Sequence, residues 1–168
     1  MKSYIGVAVS IGVLAGVWTQ VSTELGLVTW IAFIVWAGFF AAGGGRDGFV
    51  RVLASALSGV LYGWLAVWFA GHVPVPGALA IGVAVIAAAM CLQAGWHVLS
   101  FIPGAFFGAA SLFGNAVDVW PTVLAIVIGA VLGWASAVAG ARIQAMVDGR
   151  SPAAQPPAAE PPASPATA

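Results

Sequence analysis

The amino-acid sequence predicts an all-α membrane protein with six transmembrane helices, and three observations lead to this fold class. Of the 168 residues, 62% are hydrophobic and only 6% are charged, whereas a soluble domain carries about 25% charged residues. The mean hydropathy of +1.06 agrees, and apolar runs of spanning length recur along the chain. The formal net charge is zero, which excludes the basic surface that holds nucleic acid. The expected surroundings are therefore a lipid bilayer.

Six apolar segments are long enough, at about 20 residues, to cross about 30 Å of hydrocarbon. They occupy approximately residues 4–21, 26–43, 50–70, 77–96, 98–114 and 119–141. Polar, glycine-rich or proline-containing breaks separate them, as at 43–48 and 74–77. The break near Trp96 is the weakest, so segments four and five are alternatively one long broken helix. We expect a membrane domain over 1–145 and a disordered, Pro/Ala-rich cytoplasmic tail over 146–168.

The positive charges predict the orientation of the helices. The five Lys and Arg residues are Lys2, Arg46, Arg51, Arg142 and Arg150. With six spans, all of them fall before span one, between spans two and three, or after span six. Cytoplasmic loops carry the excess of Lys and Arg in membrane proteins, so both termini are expected in the cytoplasm.

The two halves of the chain contain similar segments, which indicates an internal repeat. The matched segments are Ile5–Val9 with Ile81–Val85, Phe33–Ala42 with Phe101–Ala110, and Gly59–Trp64 with Gly129–Trp134. Each unit would contain three spans, and because three is odd the second unit would enter the membrane from the opposite face. The sequence therefore predicts a 3+3 inverted repeat, an arrangement in which transporters bind solutes where the repeats meet.

Several short segments resemble one known family. They are Leu25–Leu27 with Trp30, Leu57–Val60, Met90–Gln93, and Leu99–Gly104 with Phe106 and Gly108. These residues resemble the YcdZ/YahC-like small bacterial inner-membrane proteins, a family whose domain has no known function. The resemblance covers about residues 4–142 and is most specific over 90–108. It implies a multi-pass location in the bacterial inner membrane and gives no substrate or catalytic residue.

Small residues are expected at the contacts between helices. Four glycine pairs have the four-residue spacing that places both on one helix face: Gly12/Gly16, Gly59/Gly63, Gly104/Gly108 and Gly129/Gly133. Such faces let two backbones approach closely, so these residues are interpreted as packing sites. Ser55 and Ser58 are expected to bond to carbonyl groups one turn earlier in their helix. The number of glycine-paired faces also predicts a homo-oligomer.

Four residues are candidates for a solute path: Gln20, Gln93, Ser100 and Pro103. The two glutamines lie late in spans one and four, where an amide is costly unless it is hydrogen-bonded. Each could contact a polar solute or could instead hold two helices together. Pro103, within predicted span five, is expected to free a carbonyl group. That break is interpreted either as the lining of a path or as a simple kink.

No constellation of catalytic residues is present in the sequence, and no enzyme activity, cofactor or metal is expected. His72 and His97 lie near opposite membrane faces and cannot share a metal ion. No Asp or Glu lies securely in mid-span, which argues against a proton relay. The leading prediction is a channel or facilitator for a small neutral or weakly polar solute. The alternative is a non-transporting assembly or regulatory subunit of the membrane.

Overall fold

In the computed structural model, which describes residues 4–149, this part of the chain is entirely helical apart from turns. The six α-helices are α1 (Ile5–Glu24), α2 (Thr29–Ala41), α3 (Gly45–His72), α4 (Ala78–Leu92), α5 (Ile102–Gly114) and α6 (Val119–Val147). Two 3-10 turns, Gln93–Gly95 and His97–Leu99, connect α4 to α5. Lys2, Arg150 and nearly all of the predicted tail lie outside the described residues.

The helices fall into two length classes. Helices α1, α3 and α6, and α4 together with the turn that follows it, are long and apolar enough to cross a membrane. Helices α2 and α5 have 13 residues each and extend only about 20 Å at 1.5 Å per residue. This is shorter than the hydrocarbon core of about 30 Å. Length therefore supports four spans, and crossings by α2 and α5 stay predictions.

Contacts between the helices define their directions. Gly59 of α3 lies against Ala105 of α5, and one turn later Gly63 lies against Ala109, so α3 and α5 run parallel. Helices α1 and α6 run antiparallel, because the start of α1 meets the end of α6. Across the bundle, successive helices alternate in direction.

The turns gather at two ends of the bundle. At one end, His97 of the α4–α5 connection approaches Asp47 at the start of α3, with 3.5 Å between Nε2 and Oδ1. At the other end, the Trp30 side chain at the start of α2 packs against Gly114 at the end of α5. The first end also carries Arg46 and Arg51 at the start of α3, and the orientation expected from the five Lys and Arg residues stays a prediction.

The six helices pack as two groups of three. Helices α1 and α2 pack on α6, and helices α4 and α5 pack on α3, while α3 and α6 contact each other between the groups. Within each group, the short helix approaches its long neighbour at glycines: a Cβ at Gly59 or Gly108 would overlap a backbone oxygen of the facing helix, as would one at Gly129. The centre is filled by apolar side chains, including the fully buried Ile31 and Ile126.

Candidate functional site

The buried polar side chains differ between the two groups. In the α1–α2–α6 group every one of them is hydrogen-bonded, namely Ser10, Ser22, Thr122 and Ser136. In the α3–α4–α5 group the buried polar side chains are those of Ser55, Gln93 and Ser111, and none of their polar atoms has a hydrogen-bond partner. Buried polar groups in proteins are nearly always hydrogen-bonded. The second group is therefore the part of the described chain where polar atoms are available to a ligand or to water.

Gln93 is the largest of these unpartnered groups, and it stands where α4 loses its α-helical form. The apolar segment Ala78–Leu92 forms a regular α-helix, and the chain then tightens into the 3-10 turn Gln93–Gly95. Only 4% of Gln93 is exposed, and neither Nε2 nor Oε1 has a hydrogen-bond partner. Leaving such a group unpaired costs about 1–3 kcal/mol. Sequence analysis found this residue but not its missing partners.

Gln20 has a different environment, although the sequence placed both glutamines late in corresponding spans. Its side chain is exposed, and Nε2 donates a hydrogen bond of 2.6 Å to Oε1 of Glu24. The structure therefore separates two residues that the sequence analysis treated together. Only Gln93 is both buried and unpartnered.

The chain between α4 and α5 contains the other two predicted path residues. Ser100 is half-buried, and its Oγ donates a hydrogen bond of 2.8 Å to the carbonyl oxygen of His97. Pro103 is exposed and stands in the first turn of α5. Proline is well accommodated there, because the first N–H groups of a helix have no intrahelical partner. The break expected at Pro103 inside a span was therefore misplaced: the helical chain is interrupted earlier, between Gln93 and Phe101.

Ser55 is a second unpartnered group, and it lies at a depth similar to that of Gln93. Gly82 of α4 lies against Ala66 of α3, and the approach of His97 to Asp47 shows that α4 runs antiparallel to α3. Gln93 follows Gly82 by eleven residues, and Ser55 precedes Ala66 by eleven residues. Gln93 and Ser55 therefore belong to the same layer of the α3–α4–α5 group.

The serines of α3 only partly follow the expectation from the sequence. The Oγ of Ser58 donates to the carbonyl oxygen of Ser55 at 2.7 Å, which confirms the expected bond to the preceding turn. The Oγ of Ser55 has no partner, so the same expectation was wrong for this residue. Ser55 packs closely against Gly104 of α5 instead. Ser111, on the same helix as Gly104, provides a further unpartnered hydroxyl nearer the opposite end.

Charged side chains surround the start of α3. Arg51 pairs with Asp47 at 2.9 Å between Nε and Oδ2, and the Asp47 carboxylate also faces His97. This cluster connects α3 to the segment that carries Gln93. Within residues 4–149, no three His, Cys, Asp or Glu side chains are close enough to hold a metal ion.

The other buried network joins α1, α2 and α6. Ser10 Oγ donates to the carbonyl oxygen of Ser136 at 2.8 Å, and Trp36 Nε1 donates to Ser136 Oγ at 2.9 Å. Ser136 Oγ donates in turn to the carbonyl oxygen of Gly133 at 2.8 Å. These contacts connect three helices, and sequence reasoning missed them because lone serines in apolar segments carry no distinctive spacing.

Two apolar grooves lie at equivalent places in the two groups. A groove between α1 and α2 is lined on α2 by Phe33, Trp36, Ala37 and Phe40. A groove between α4 and α5 is lined on α5 by Phe106, Ala109, Ala110 and Phe113. In each set these are the fifth, eighth, ninth and twelfth residues of the helix. Helix position therefore pairs Phe33 with Phe106, not with Phe101 as the sequence match did.

The glycine pairs fall into two classes. Gly59, Gly63, Gly104, Gly108, Gly129 and Gly133 lie at contacts with a neighbouring helix or turn. Gly12 and Gly16 are exposed on α1, and a Cβ at either position would meet nothing within 4 Å. Gly12 and Gly16 are therefore not used for packing within the described residues, whereas Gly6 of the same helix lies against α6.

Comparison with known proteins identifies the family. The family described as "Protein of unknown function (DUF1097)" matches residues 8–141. Inner membrane protein YcdZ of Escherichia coli strain K12 is 34% identical over 140 residues, covering 80% of this chain and 84% of that protein. Uncharacterized protein YahC of the same strain is 33% identical over 155 residues, covering 85% and 94%. No solved structure matches this chain. With most of the membrane domain matched, the chain belongs to the DUF1097 family, as its resemblance to YcdZ and YahC indicated.

Proposed function

We propose that this chain is an inner-membrane channel or facilitator for a small neutral or weakly polar solute. The observation that carries the proposal is the unpartnered carboxamide of Gln93, buried where α4 unwinds. Within a membrane, irregular backbone is tolerated where it is buried in protein or lines a water-filled cavity. A polar side chain beside such backbone can replace part of the hydration of a passing solute. The proposal assigns no catalytic step and no cofactor.

The unpartnered polar groups lie at more than one depth in the bundle, as a path through it requires. Gln93 and Ser55 share one layer, and Ser111 lies seven residues beyond Gly104 along α5, about 10 Å further at 1.5 Å per residue. The ionised groups that face each other, Asp47 and Arg51, are at the end of the bundle. A path with hydroxyl and amide groups but no mid-span carboxylate favours neutral solutes and little dependence on a proton gradient.

We further propose that all six helices cross the membrane as a 3+3 inverted repeat with both termini in the cytoplasm. Three features support this topology: the alternating helix directions, the similar order of helix lengths (20, 13 and 28 residues, then 15, 13 and 29), and the matched linings of the two grooves.

The alternative is a non-transporting assembly or regulatory subunit, and one observation favours it. The interface between the two groups is filled by fully buried apolar side chains such as Val52 and Ile126. A conduit through this interface would require the groups to separate. The unpartnered polar groups lie inside the α3–α4–α5 group instead, and for this reason we favour passage there over passage between the groups.

A flux measurement on reconstituted protein tests the proposal. Purified protein in proteoliposomes is exposed to gradients of neutral solutes, and the light scattering of the vesicles is followed in a stopped-flow instrument. Gln93→Leu should lower the permeation rate about tenfold, as expected when about 1.4 kcal/mol of solute contact is lost. Gln20→Leu is the matched control and should leave the rate unchanged, because Gln20 is exposed and bonded to Glu24.

Two outcomes would contradict this assignment. Normal permeation by folded Gln93→Leu protein would show that the path lies elsewhere. Absence of flux for every solute in correctly folded, oriented protein would favour the subunit alternative. Thermal unfolding in detergent distinguishes a loss of flux from misfolding of the Gln93→Leu variant. Removal of an unpaired buried amide should leave the melting temperature unchanged or raise it, whereas removal of a glutamine that holds helices together should lower it.

A further inference from the structure

The arrangement of unpartnered atoms at Gln93 restricts the chemical class of solute. A carboxamide presents an N–H donor and a carbonyl acceptor side by side in one plane, and here both are buried and free. A single ligand group that satisfies both atoms must carry an acceptor and a donor at matching positions. Primary amides and ureas have this arrangement, and they pair with a carboxamide through two parallel N–H···O bonds.

Resting on the function proposed above, we propose that Gln93 selects small carboxamides and ureas over polyols and ions. An ion is disfavoured because Gln93 offers no full charge, and desolvating an ion without a partner is far more costly than desolvating an amide. The nearest charged cluster is that of Asp47 and Arg51, which are paired with each other at the end of the bundle. Two neighbouring hydroxyls of a polyol can bond to both amide atoms, but each hydroxyl rotates freely and must be immobilised, whereas the donor and acceptor of a planar amide are already fixed side by side.

Ser55 provides the second contact. Its Oγ is fully buried, has no partner and lies in the same layer as Gln93. A hydroxyl both donates and accepts, so it suits either the second lone pair of a carbonyl or the second amino group of a urea. The two residues come from different helices, α3 and the end of α4, and a solute between them is bound from two sides.

The space beside Ser55 also favours a small solute. Gly104 of α5 faces Ser55 so closely that a Cβ there would lie 2.9 Å from the Cβ of Ser55. Phe101 covers the same glycine, with its Cδ1 at 2.8 Å from that position. Helix α5 therefore leaves little room on this side of the layer, which suits urea or acetamide better than longer amides.

The experiment compares permeation of urea and acetamide with that of glycerol in proteoliposomes, at solute concentrations far below those that unfold proteins. The wild-type protein should pass the two amides about tenfold faster than glycerol, the difference expected because glycerol must immobilise rotatable groups to make the same bonds. Gln93→Met, which keeps the length of the side chain and removes both polar atoms, should reduce amide permeation to the glycerol rate. Ser55→Ala should reduce it about threefold.

Gln20→Met is the control for the loss of a glutamine and should behave as wild type. Equal permeation of amides and glycerol, with both reduced by Gln93→Met, would overturn the amide selectivity and leave the proposed facilitator in place. Passage of water alone would also overturn the selectivity. Absence of flux for all solutes would overturn the proposed function itself, and the selectivity with it.

Discussion

Helix α1 is held to its neighbours by hydrogen bonds, whereas α4 is held by apolar contacts alone. Ser10 and Trp36 both bond to Ser136, so α1, α2 and α6 share one polar network. The corresponding interface of the other group contains Ala66, Ile86, Met90, Ala105 and Ala109, which form a single apolar cluster. Two groups with similar helix arrangement therefore use different chemistry at the same place.

The two groups also differ in how closely their helices approach, because α1 lies closer to α6 than α4 does to α3. A Cβ at Gly6 of α1 would overlap the backbone of α6 at Gly140, whereas a Cβ at Gly82 of α4 would lie 3.3 Å from the carbonyl oxygen of Ala66. Lipid tails are as apolar as the side chains between α3 and α4, so no hydrophobic force drives these helices together in a membrane. The comparison indicates that α1 is held by polar bonds and a closer backbone contact, whereas α4, whose end leads to Gln93, is held by apolar packing.

The largest effect is expected from filling the close backbone contacts that the two groups have in common. Gly59→Ala and Gly129→Ala would each drive a methyl group into a carbonyl group of the facing helix, at Ala105 and Ala32 respectively. Each should lower the free energy of unfolding by about 3 kcal/mol, measured by thermal or denaturant unfolding in detergent. Gly12→Ala is the control and should cost nothing, since its position is open. A large loss of stability for only one of the two variants would show that the two groups do not depend on equivalent glycine contacts.

A smaller loss of stability is expected from removing a hydrogen bond that only the α1–α2–α6 group contains. Ser136→Ala removes the acceptor of Trp36 Nε1, and a buried donor left without a partner costs about 1–3 kcal/mol. The measurement is the melting temperature together with the tryptophan fluorescence spectrum. Thr19→Ala, which removes an exposed hydroxyl bonded to the carbonyl of Ala15, is the matched control. Equal stability of Ser136→Ala and wild type would mean that the hydrogen bond from Trp36 does not stabilise the contact between α2 and α6.

The smallest effect on folding is expected on the outer face of α1. The homo-oligomer predicted from the sequence has not been tested, and Gly12 and Gly16 are small residues that this chain leaves uncovered. The double substitution of both by Leu should leave the melting temperature of the monomer unchanged and should lower the oligomeric mass in mild detergent. An unchanged mass, or a strictly monomeric wild type, would contradict the assignment of this face.

Hydropathy was sufficient to predict the helical class, because it depends only on residue type and order, while the orientation inferred from the Lys and Arg residues stays a prediction. Hydropathy was not sufficient for the helix limits. Apolar residues 26–28 fit a spanning pattern but precede α2, which begins at Thr29, since hydropathy does not distinguish helical from extended backbone. Proline was ambiguous for a related reason: Pro103 interrupts a helix in its interior but suits a first turn equally well.

The site was harder to predict than the fold, because its defining property is an absent partner. Gln20 and Gln93 are the same residue type in similar sequence positions, and only packing shows that one bonds to Glu24 while the other is buried and free. Likewise, Ser55 and Ser58 stand three residues apart on one helix, and only the hydroxyl of Ser58 has a hydrogen-bond partner. Spacing locates polar residues in an apolar chain, but the surrounding helices decide their hydrogen bonds.

The pairing of the first helix with the last has a consequence for biosynthesis. Helices α3, α4 and α5 follow one another in the chain, so their group can assemble as soon as α5 has left the ribosome. The other group must wait for α6, because Ser136 is the partner of both Ser10 and Trp36. In the interval the Ser10 hydroxyl can remain bonded to Val7 within its own helix, at 3.0 Å. Helix α1 is thus made before the other described helices, and its partner α6 is made last.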